Sequence, residues 1–175
     1  TLANAQAGQL AFLANSKYAS QLKQTNASVV VVSEADAENC PCACLISKDP
    51  YTSFARISAL FDSDESLAEG IHPSAVIHAT AQVSASARIG AFVVIGEHAV
   101  IEDDAHVYAH CSIGLACLVG ESSVLMPRVT LVKRVRLGKR VRIHSGAVLG
   151  ADGFGLAMQK GSWIKVAQLG GVQIG

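Results

Sequence analysis

Charged side chains and long hydrophobic runs are both scarce in this sequence of 175 residues. Only 16% of the residues are charged, below the roughly 25% that is usual for a soluble domain, and 14 basic residues balance 14 acidic ones. The hydrophobic share of 50% excludes an intrinsically disordered chain. The longest aliphatic run is Val29 to Val32, far short of the roughly 18 apolar residues that indicate a membrane helix. The sequence therefore predicts a folded protein with no membrane span and no nucleic-acid partner, whose apolar residues are spread over many short elements.

A disulfide framework and a zinc motif are also missing. The five cysteines are odd in number and show no C-x2-C spacing; they are Cys40, Cys42, Cys44, Cys111 and Cys117. Small buried thiols in a reducing compartment are the simplest interpretation, so we expect a cytoplasmic protein without a metal site. No basic segment followed by an apolar one opens the chain, so no signal peptide is predicted. Because the sequence begins at Thr1 and stops at Gly175, we expect a chain truncated at both ends.

A six-residue repeat dominates the second part of the sequence. An aliphatic residue occupies every sixth position, and the residue four places after each one is small or β-branched. The aliphatic positions are Ile71, Ile77, Val83, Ile89, Ile95, Ile101, Val107, Ile113, Val119, Leu125, Leu131, Leu137, Ile143 and Leu149. A period of six fits neither an α-helix nor a simple alternating strand, and it is typical of the hexapeptide repeat of a parallel β-helix. Three hexads form one triangular coil, so residues 18 apart should stack roughly 4.8 Å from one another.

The repeat also accounts for cysteines and histidines. Cys111 and Cys117 fall on the small inward position. Histidines such as His72 and His144 fall on outward or corner positions. These two share a face but lie four coils apart, roughly 19 Å, which is too far to share a metal ion. A zinc-dependent carbonic anhydrase built on the same repeat is therefore disfavoured.

The region before the repeat predicts a small α/β domain. Strands are predicted at 9–14, 28–33 and 42–47, a short helix from an N-cap at Ser16 to Leu22, and a second helix over 50–61. On the second helix we expect an apolar side formed by Phe54, Ile57, Leu60 and Phe61. An acidic, polar linker at 62–70 follows. The expected fold class is an α+β N-terminal domain, residues 1–66, followed by the parallel β-helix of residues 67–175.

Two local features interrupt or decorate the repeat. The phase is lost after Leu149 and returns only near Ile174, which predicts an inserted loop at about 150–173. Such a loop either carries function beside a rigid scaffold or covers an exposed coil edge.

Half of the basic residues lie within fifteen positions, with no acid among them; they are Arg128, Lys133, Arg134, Arg136, Lys139, Arg140 and Arg142. They either attract an acidic partner or anionic phosphates, or form a solvated collar that blocks edge pairing.

Four stretches resemble the UDP-3-O-(3-hydroxyacyl)glucosamine N-acyltransferases of lipid A biosynthesis, a family of hexapeptide-repeat enzymes. The stretches are Phe12–Tyr18, Asp49–Arg56, Gly70–Val76, and Ser145–Gly155 continued by Gly161–Gln168. The last is specific to this branch of hexapeptide transferases, and together they span nearly the whole chain. The resemblance implies a left-handed winding of the β-helix and a uridine-binding function for the N-terminal domain.

The resemblance also implies site residues. Phe12 and Tyr18 match two aromatic side chains that enclose the uracil ring in this family, and Asn15 between them matches a hydrogen-bonding partner. The loop residues Asp152, Gly153, Phe154 and Gly155 are expected to line the substrate cleft. Because of their clustered positive charge, and not because of the resemblance, Arg134, Arg136, Lys139 and Arg140 are candidates for contact with the carrier protein. The catalytic histidine of the family lies in a motif that this chain does not contain, so we assign no catalytic residue and expect the chain alone to be inactive.

The implied reaction moves a 3-hydroxyacyl group from acyl carrier protein to the 2-amino group of a UDP-linked glucosamine, in a homotrimer and without a cofactor. Two alternatives remain open. One is a related sugar O-acyltransferase, which the presence of an N-terminal domain disfavours. The other is a nucleotide-binding or purely structural trimeric module without catalysis.

Overall fold

The computed structural model describes residues 1–61 and 67–175, so most of the acidic stretch predicted as a linker lies outside the described residues. The chain divides into two compact units, Thr1–Glu65 and Ser66–Gly175. None of the helices in the described ranges is long and apolar enough to cross a membrane.

The first unit is built on a three-stranded sheet. Its strands are β1 (Leu10–Phe12), β2 (Val29–Val32) and β3 (Ala43–Ile46), in the order β1-β2-β3. Its α-helices are α1 (Ala19–Leu22), α2 (Glu34–Ala37) and α3 (Pro50–Ser58), and 3-10 turns cover Leu2–Asn4, Ser16–Tyr18 and Ala59–Phe61. The central strand β2 consists of four valines, and β-branched residues favour a strand that is buried on both faces. All pairings are parallel, so the unit is of the α/β type that the sequence predicts for this domain, and the label α+β in the expected fold class is not confirmed.

The predicted strands are each found, but the helices differ in detail. The N-cap of the first helical segment is Asn15 rather than Ser16, because the Asn15 side chain accepts a hydrogen bond from the backbone N–H of Lys17 at 3.0 Å. Helix α2 was not predicted. At the end of the last helical segment, Leu60 and Phe61 are 83% and 74% exposed, so the predicted apolar side is open to solvent there. Helical periodicity identifies an apolar face but does not show whether a neighbour covers it.

The second unit is a parallel β-helix. Its strands, mostly of two residues, are β4 (Val76–Ile77), β5 (Gln82–Val83), β6 (Arg88–Ile89), β7 (Val94–Ile95), β8 (Val100–Ile101), β9 (His106–Val107), β10 (Ser112–Leu115), β11 (Leu118–Val119), β12 (Val124–Leu125), β13 (Thr130–Lys133), β14 (Arg136–Leu137), β15 (Arg142–Ile143), β16 (Val148–Leu149) and β19 (Gln173–Ile174). They form three parallel sheets, β4-β7-β10-β13-β16, β5-β8-β11-β14-β19 and β6-β9-β12-β15. Val94 lies opposite Ser112, and Ser112 lies opposite Thr130, so the predicted stacking at intervals of 18 residues is confirmed.

The core of the β-helix consists of the residues that the repeat predicts. From Ile89 to Leu137 every sixth residue is at most 1% exposed, whereas Ile71 in the opening hexad is 48% exposed. Cys111 and Cys117 are buried on the small inward position, as predicted. Ser123 occupies the same position one hexad later. Its hydroxyl donates to the carbonyl of Gly138 at 2.8 Å and accepts from the N–H of Val141 at 3.0 Å, so a buried polar group is fully paired.

The corners of the coils have an unusual backbone conformation. Nine successive residues at intervals of six have positive φ although none is glycine; they are Phe92, His98, Asp104, His110, Ala116, Ser122, Arg128, Arg134 and Arg140. Each corner N–H donates to the preceding coil: Phe92 to the hydroxyl of Ser74, and Arg140 to the carbonyl of Glu121. These hydrogen bonds offset the cost of a left-handed conformation in residues that have a Cβ.

Candidate functional site

A pocket of about 590 Å³ lies in the first unit beside strand β1. All three residues that the sequence predicts for a uridine site, Phe12, Asn15 and Tyr18, line this pocket. Tyr51 and Phe54 of helix α3 line it as well. Neither residue was predicted as part of the site, although both belong to the stretch Asp49–Arg56 that carries part of the family resemblance.

Phe12 is held within an aromatic cluster. Its ring stacks on the ring of Phe54, with centroids 4.3 Å apart and planes at 27°. The ring of Tyr51 lies 5.6 Å away and is tilted by 48°. Phe12 is half-buried and Tyr18 is exposed. The pocket therefore offers flat aromatic surface to a ligand, which suits a planar heterocycle.

Asn15 has two different ends. Its Oδ1 accepts from the N–H of Lys17 and caps the 3-10 turn that positions Tyr18. Its amide nitrogen has no hydrogen-bond partner within residues 1–61 and 67–175. A cap fixes the side chain, and the free N–H groups remain able to donate to a ligand oxygen.

The start of helix α3 is rigidly defined. Asp49 is its N-cap: Oδ1 accepts from the N–H of Thr52 at 3.1 Å and Oδ2 from the Thr52 hydroxyl at 2.6 Å. These two hydrogen bonds lower the pKa of Asp49. Pro50 at the first helical turn suits this start, and the hydroxyls of Ser47 and Ser53 lie 2.7 Å apart across it. The capped start determines where Tyr51 and Phe54 lie on the pocket wall.

The inserted segment after Leu149 forms a hairpin, whereas the sequence predicted only a loop. Strands β17 (Leu156–Gln159) and β18 (Ser162–Lys165) pair in antiparallel fashion, and Lys160 and Gly161 between them both have positive φ, as in a type I′ turn. Ile174 resumes the coil by pairing with Leu137, as the sequence predicts.

The predicted cleft residues lie at the base of this hairpin. Asp152 Oδ1 lies 3.1 Å from Nζ of Lys133, and Asp152 Oδ2 accepts a hydrogen bond from Lys165. The two lysines lower the pKa of Asp152, with the hydrogen bond from Lys165 as the larger cause. The N–H of Gly153 donates to the side chain of Gln168, and the carbonyl of Gly155 accepts from Val166. Phe154 is 95% exposed, so its ring is available to a ligand or a partner.

The four basic residues expected to contact a carrier protein are not equivalent. The Arg134 guanidinium donates to the carbonyl of Gln168 at 3.2 Å and so helps to hold the inserted segment. Nζ of Lys139 lies 2.6 Å from a carboxylate oxygen of Glu121, which raises the pKa of this lysine. The side chains of Arg136 and Arg140 have no ion-pair partner among the described residues. The local sequence contains no acid, so it did not show that Lys139 has an ion-pair partner. That partner, Glu121, lies one coil earlier.

Several histidines take part in turns or in ring stacking. Nδ1 of His72 accepts from the N–H of Ser74, and His78 makes the same contact with Thr80. The His110 ring stacks on Phe92. His106 has a lowered pKa, mainly because of its partial burial and then because of Arg88. Among the residues that the structure describes, no cluster of three or more His, Cys, Asp or Glu could hold a metal ion.

Comparisons with known proteins show similarity over the unit that contains the pocket and over the whole chain. Residues 1–60 match the family model described as UDP-3-O-(3-hydroxymyristoyl) glucosamine N-acyltransferase, LpxD. A UDP-3-O-acylglucosamine N-acyltransferase of Xanthomonas campestris pv. campestris (strain 8004) is 75% identical over 175 residues, which are 100% of this chain and 52% of that protein. The first 60 residues thus match the model of this N-acyltransferase family, and the whole chain aligns with a relative of that name.

Further relatives of the N-acyltransferase family extend the comparison. A protein of the same name from Shewanella denitrificans is 66% identical over 100% of this chain and 52% of its own length. The chain thus spans about half the length of the curated relatives it matches. Among solved structures, an alanine variant of the GDP-perosamine N-acetyltransferase of Caulobacter crescentus, in complex with CoA and GDP-perosamine, aligns at 22% identity with a TM-score of 0.39, over 86% of this chain and 85% of that chain.

Proposed function

We propose that this chain provides the nucleotide-recognition part of an N-acyltransferase that transfers a 3-hydroxyacyl group from acyl carrier protein to the 2-amino group of a UDP-3-O-acylglucosamine. The observation that carries the proposal is the pocket formed by Phe12, Asn15 and Tyr18, which lies within the residues matched by the family model. The relatives that are 75% and 66% identical carry the name of this activity.

The pocket suits the uracil end of such a substrate. Aromatic rings such as Phe12 and Tyr18 stack on a base, which contributes on the order of 1–3 kcal/mol per base. The free amide N–H groups of Asn15 can donate to a carbonyl oxygen at the edge of the uracil ring. The combination favours a pyrimidine with exposed carbonyl groups, and the sugar and diphosphate would extend from the base towards solvent.

The proposed transfer is an acyl transfer from a thioester. The amine nitrogen bonds to the thioester carbonyl carbon, the carbon–sulfur bond breaks, the carrier leaves as a thiol, and a general base removes the proton from nitrogen. A hydrogen-bond donor stabilises the oxyanion of the tetrahedral intermediate. We assign neither role to a residue of this chain, since its histidines lie in turns, in stacks or on strands of the coils. The thioester supplies the activated acyl group, so the proposal includes no cofactor.

The remaining elements of the proposal concern the second unit. Asp152, Gly153, Phe154 and Gly155 would line the cleft for the sugar or the acyl chain, with Phe154 as the most exposed apolar contact. Arg136 and Arg140 are better placed than Arg134 and Lys139 to attract an acidic carrier protein, because the latter two are engaged within the chain. A left-handed winding, a homotrimeric assembly and a cytoplasmic location complete the proposal, and the free thiols fit a reducing compartment.

A titration of the chain with UDP-N-acetylglucosamine tests the proposal, with binding detected by NMR of the aromatic ring resonances. We expect saturable shifts at Phe12 and Tyr18 that disappear in Phe12→Ala. The matched control is Phe61→Ala, which removes an exposed aromatic ring of the same unit that does not line this pocket. A folded chain that shows no shift at millimolar ligand would contradict the nucleotide-binding role.

A further inference from the structure

Helix α3 contributes a ring that contacts Phe12 from within the protein. We propose that Phe54 is a positioning residue of the nucleoside pocket: by stacking on one face of Phe12, it fixes the plane in which Phe12 presents its other face to the base. The inference rests on the proposed function, because it takes a base as the ligand of the pocket.

The stacking geometry is close enough to restrict the ring. The Phe12 and Phe54 centroids lie 4.3 Å apart with planes at 27°. This distance is slightly shorter than the lower limit of about 4.5 Å that is usual for aromatic pairs. A ring has two faces, and Phe54 covers one of them. A planar ligand can therefore stack on Phe12 from one side only, so the orientation of Phe12 also sets the orientation of the ligand.

Phe12 needs such support because its own strand is short. Strand β1 has only three residues, and Phe12 is the last of them. The torsion about the bond to the ring is broad for phenylalanine, so packing rather than rotamer preference has to determine the ring plane. Tyr51 restricts the ring from a second direction, at 5.6 Å and 48°, while it remains 64% exposed.

The position of Phe54 is itself well defined. It lies one turn after the capped start of α3, where Asp49 holds both the N–H and the hydroxyl of Thr52. The hydrogen bond between Ser47 and Ser53 ties the same turn to the end of β3. The chain of contacts therefore runs from the helix cap to Phe54, then to Phe12, and from there to the ligand. A ring that is oriented before binding loses less freedom when the ligand binds.

Binding of UDP to the 175-residue chain, measured by calorimetry, tests this role with four variants. Phe54→Leu removes the stacked ring, and we expect Kd to rise about threefold to tenfold, as for the loss of one aromatic pair. Phe54→Tyr keeps the ring and should restore Kd to within about twofold of the unchanged chain. Val32→Ala shortens a buried side chain of β2 that does not line the pocket, so it should lower Tm without changing Kd. Phe61→Leu alters an exposed aromatic residue of the same helical segment and should change neither quantity.

The outcomes separate this inference from the proposed function. If UDP binds, Phe12→Ala abolishes binding and Phe54→Leu leaves Kd unchanged, the nucleotide-binding role stands and the positioning role is wrong. If the unchanged chain does not bind UDP, both are wrong. Should Phe54→Leu fail to fold, Phe54→Met keeps most of the volume without the ring and takes its place.

The Phe12 ring resonances of the free protein provide a second measurement. They should lose their ring-current shift in Phe54→Leu and keep it in Phe54→Tyr. Unaltered shifts in Phe54→Leu would overturn the inference.

Discussion

Asp152 lies 3.1 Å from the ammonium group of Lys133, so the residue that opens the inserted hairpin is bound to strand β13 of the coil. The same carboxylate accepts a hydrogen bond from Lys165 at the end of β18. One acidic side chain therefore connects both ends of the hairpin to the β-helix. This contact joins the region expected to line the cleft to a rigid scaffold.

We expect Asp152→Asn to release the base of the hairpin at neutral pH. The pKa of Asp152 is lowered in the folded chain. The stabilisation that its carboxylate provides is therefore fully present above the unfolded pKa of about 3.9, and it is lost as the pH falls through the lower folded pKa. The anchor should thus be unchanged from about pH 5 to pH 8 and weaken only below about pH 4. Fluorescence anisotropy of Trp163, the single tryptophan, reports the hairpin. Glu97→Gln, which removes an exposed charge paired with His98, is the control; equal anisotropy in both variants would contradict the prediction.

The second prediction concerns Gly114 in strand β10. A Cβ at this position would overlap the carbonyl oxygen of Val132, which is backbone and cannot move aside. We expect Gly114→Ala to destabilise the β-helix by about 3 kcal/mol, the upper part of the range for overpacking. Gly170→Ala is the matched control, since its Cβ would meet only the end of the Gln168 side chain at 3.5 Å. Urea unfolding followed by circular dichroism compares the two, and similar midpoints would show that the coils relax more easily than the structure indicates.

The third prediction concerns the buried hydroxyl of Ser123. Ser123→Ala leaves the carbonyl of Gly138 and the N–H of Val141 without this partner inside the β-helix, and we expect a cost of about 1–3 kcal/mol in the free energy of unfolding. Ser122→Ala, at the adjacent exposed corner, should stay within about 0.5 kcal/mol of the unchanged chain. Thermal unfolding distinguishes the two. A Tm for Ser123→Ala equal to that of Ser122→Ala would mean that the hydroxyl contributes little.

The fourth prediction separates the two ends of Asn15. Asn15→Asp keeps an oxygen that can accept from Lys17, so the cap and Tm should be retained, but it removes the amide donors. We expect UDP affinity to fall about tenfold or more, because a carboxylate facing a carbonyl oxygen replaces a hydrogen bond with repulsion. Calorimetric titration measures the loss. If Asn15→Asp bound UDP as the unchanged chain does, Asn15 would act only as a cap.

Much of the β-helix could be predicted from the sequence, because its repeat is a direct consequence of its geometry. Every inward residue from Ile89 to Leu137 was assigned from the period alone, and even the resumption at Ile174 followed from it. The hairpin was missed, since Lys160 and Gly161 are not one of the common turn pairs such as Asn-Gly. The left-handed backbone of corner residues such as Phe92 could not be predicted from the period, because it depends on hydrogen bonds that their N–H groups donate to the preceding coil.

The N-terminal unit was harder to predict, because its packing is not periodic. Strands rich in valine were recognised, whereas the parallel order of the sheet depends on contacts far apart in sequence. Phe12 and Asn15 were assigned from a resemblance. Phe54 was assigned only to the apolar side of a helix, because nothing in the local sequence shows that this side contacts Phe12. A site built from two separate segments requires the fold to be known.

Ile174 takes the place beside Leu137 that residue 155 would occupy in an uninterrupted winding. The hairpin is therefore not part of the six-residue repeat, and the repeat continues after it in the same phase. Within a coil, one added residue would turn every later aliphatic side chain from the interior to the surface. At the hairpin, residues can be added, removed or exchanged while the stacked rungs on both sides keep their alignment. This is the point at which the repeat can accept new sequence without altering its architecture.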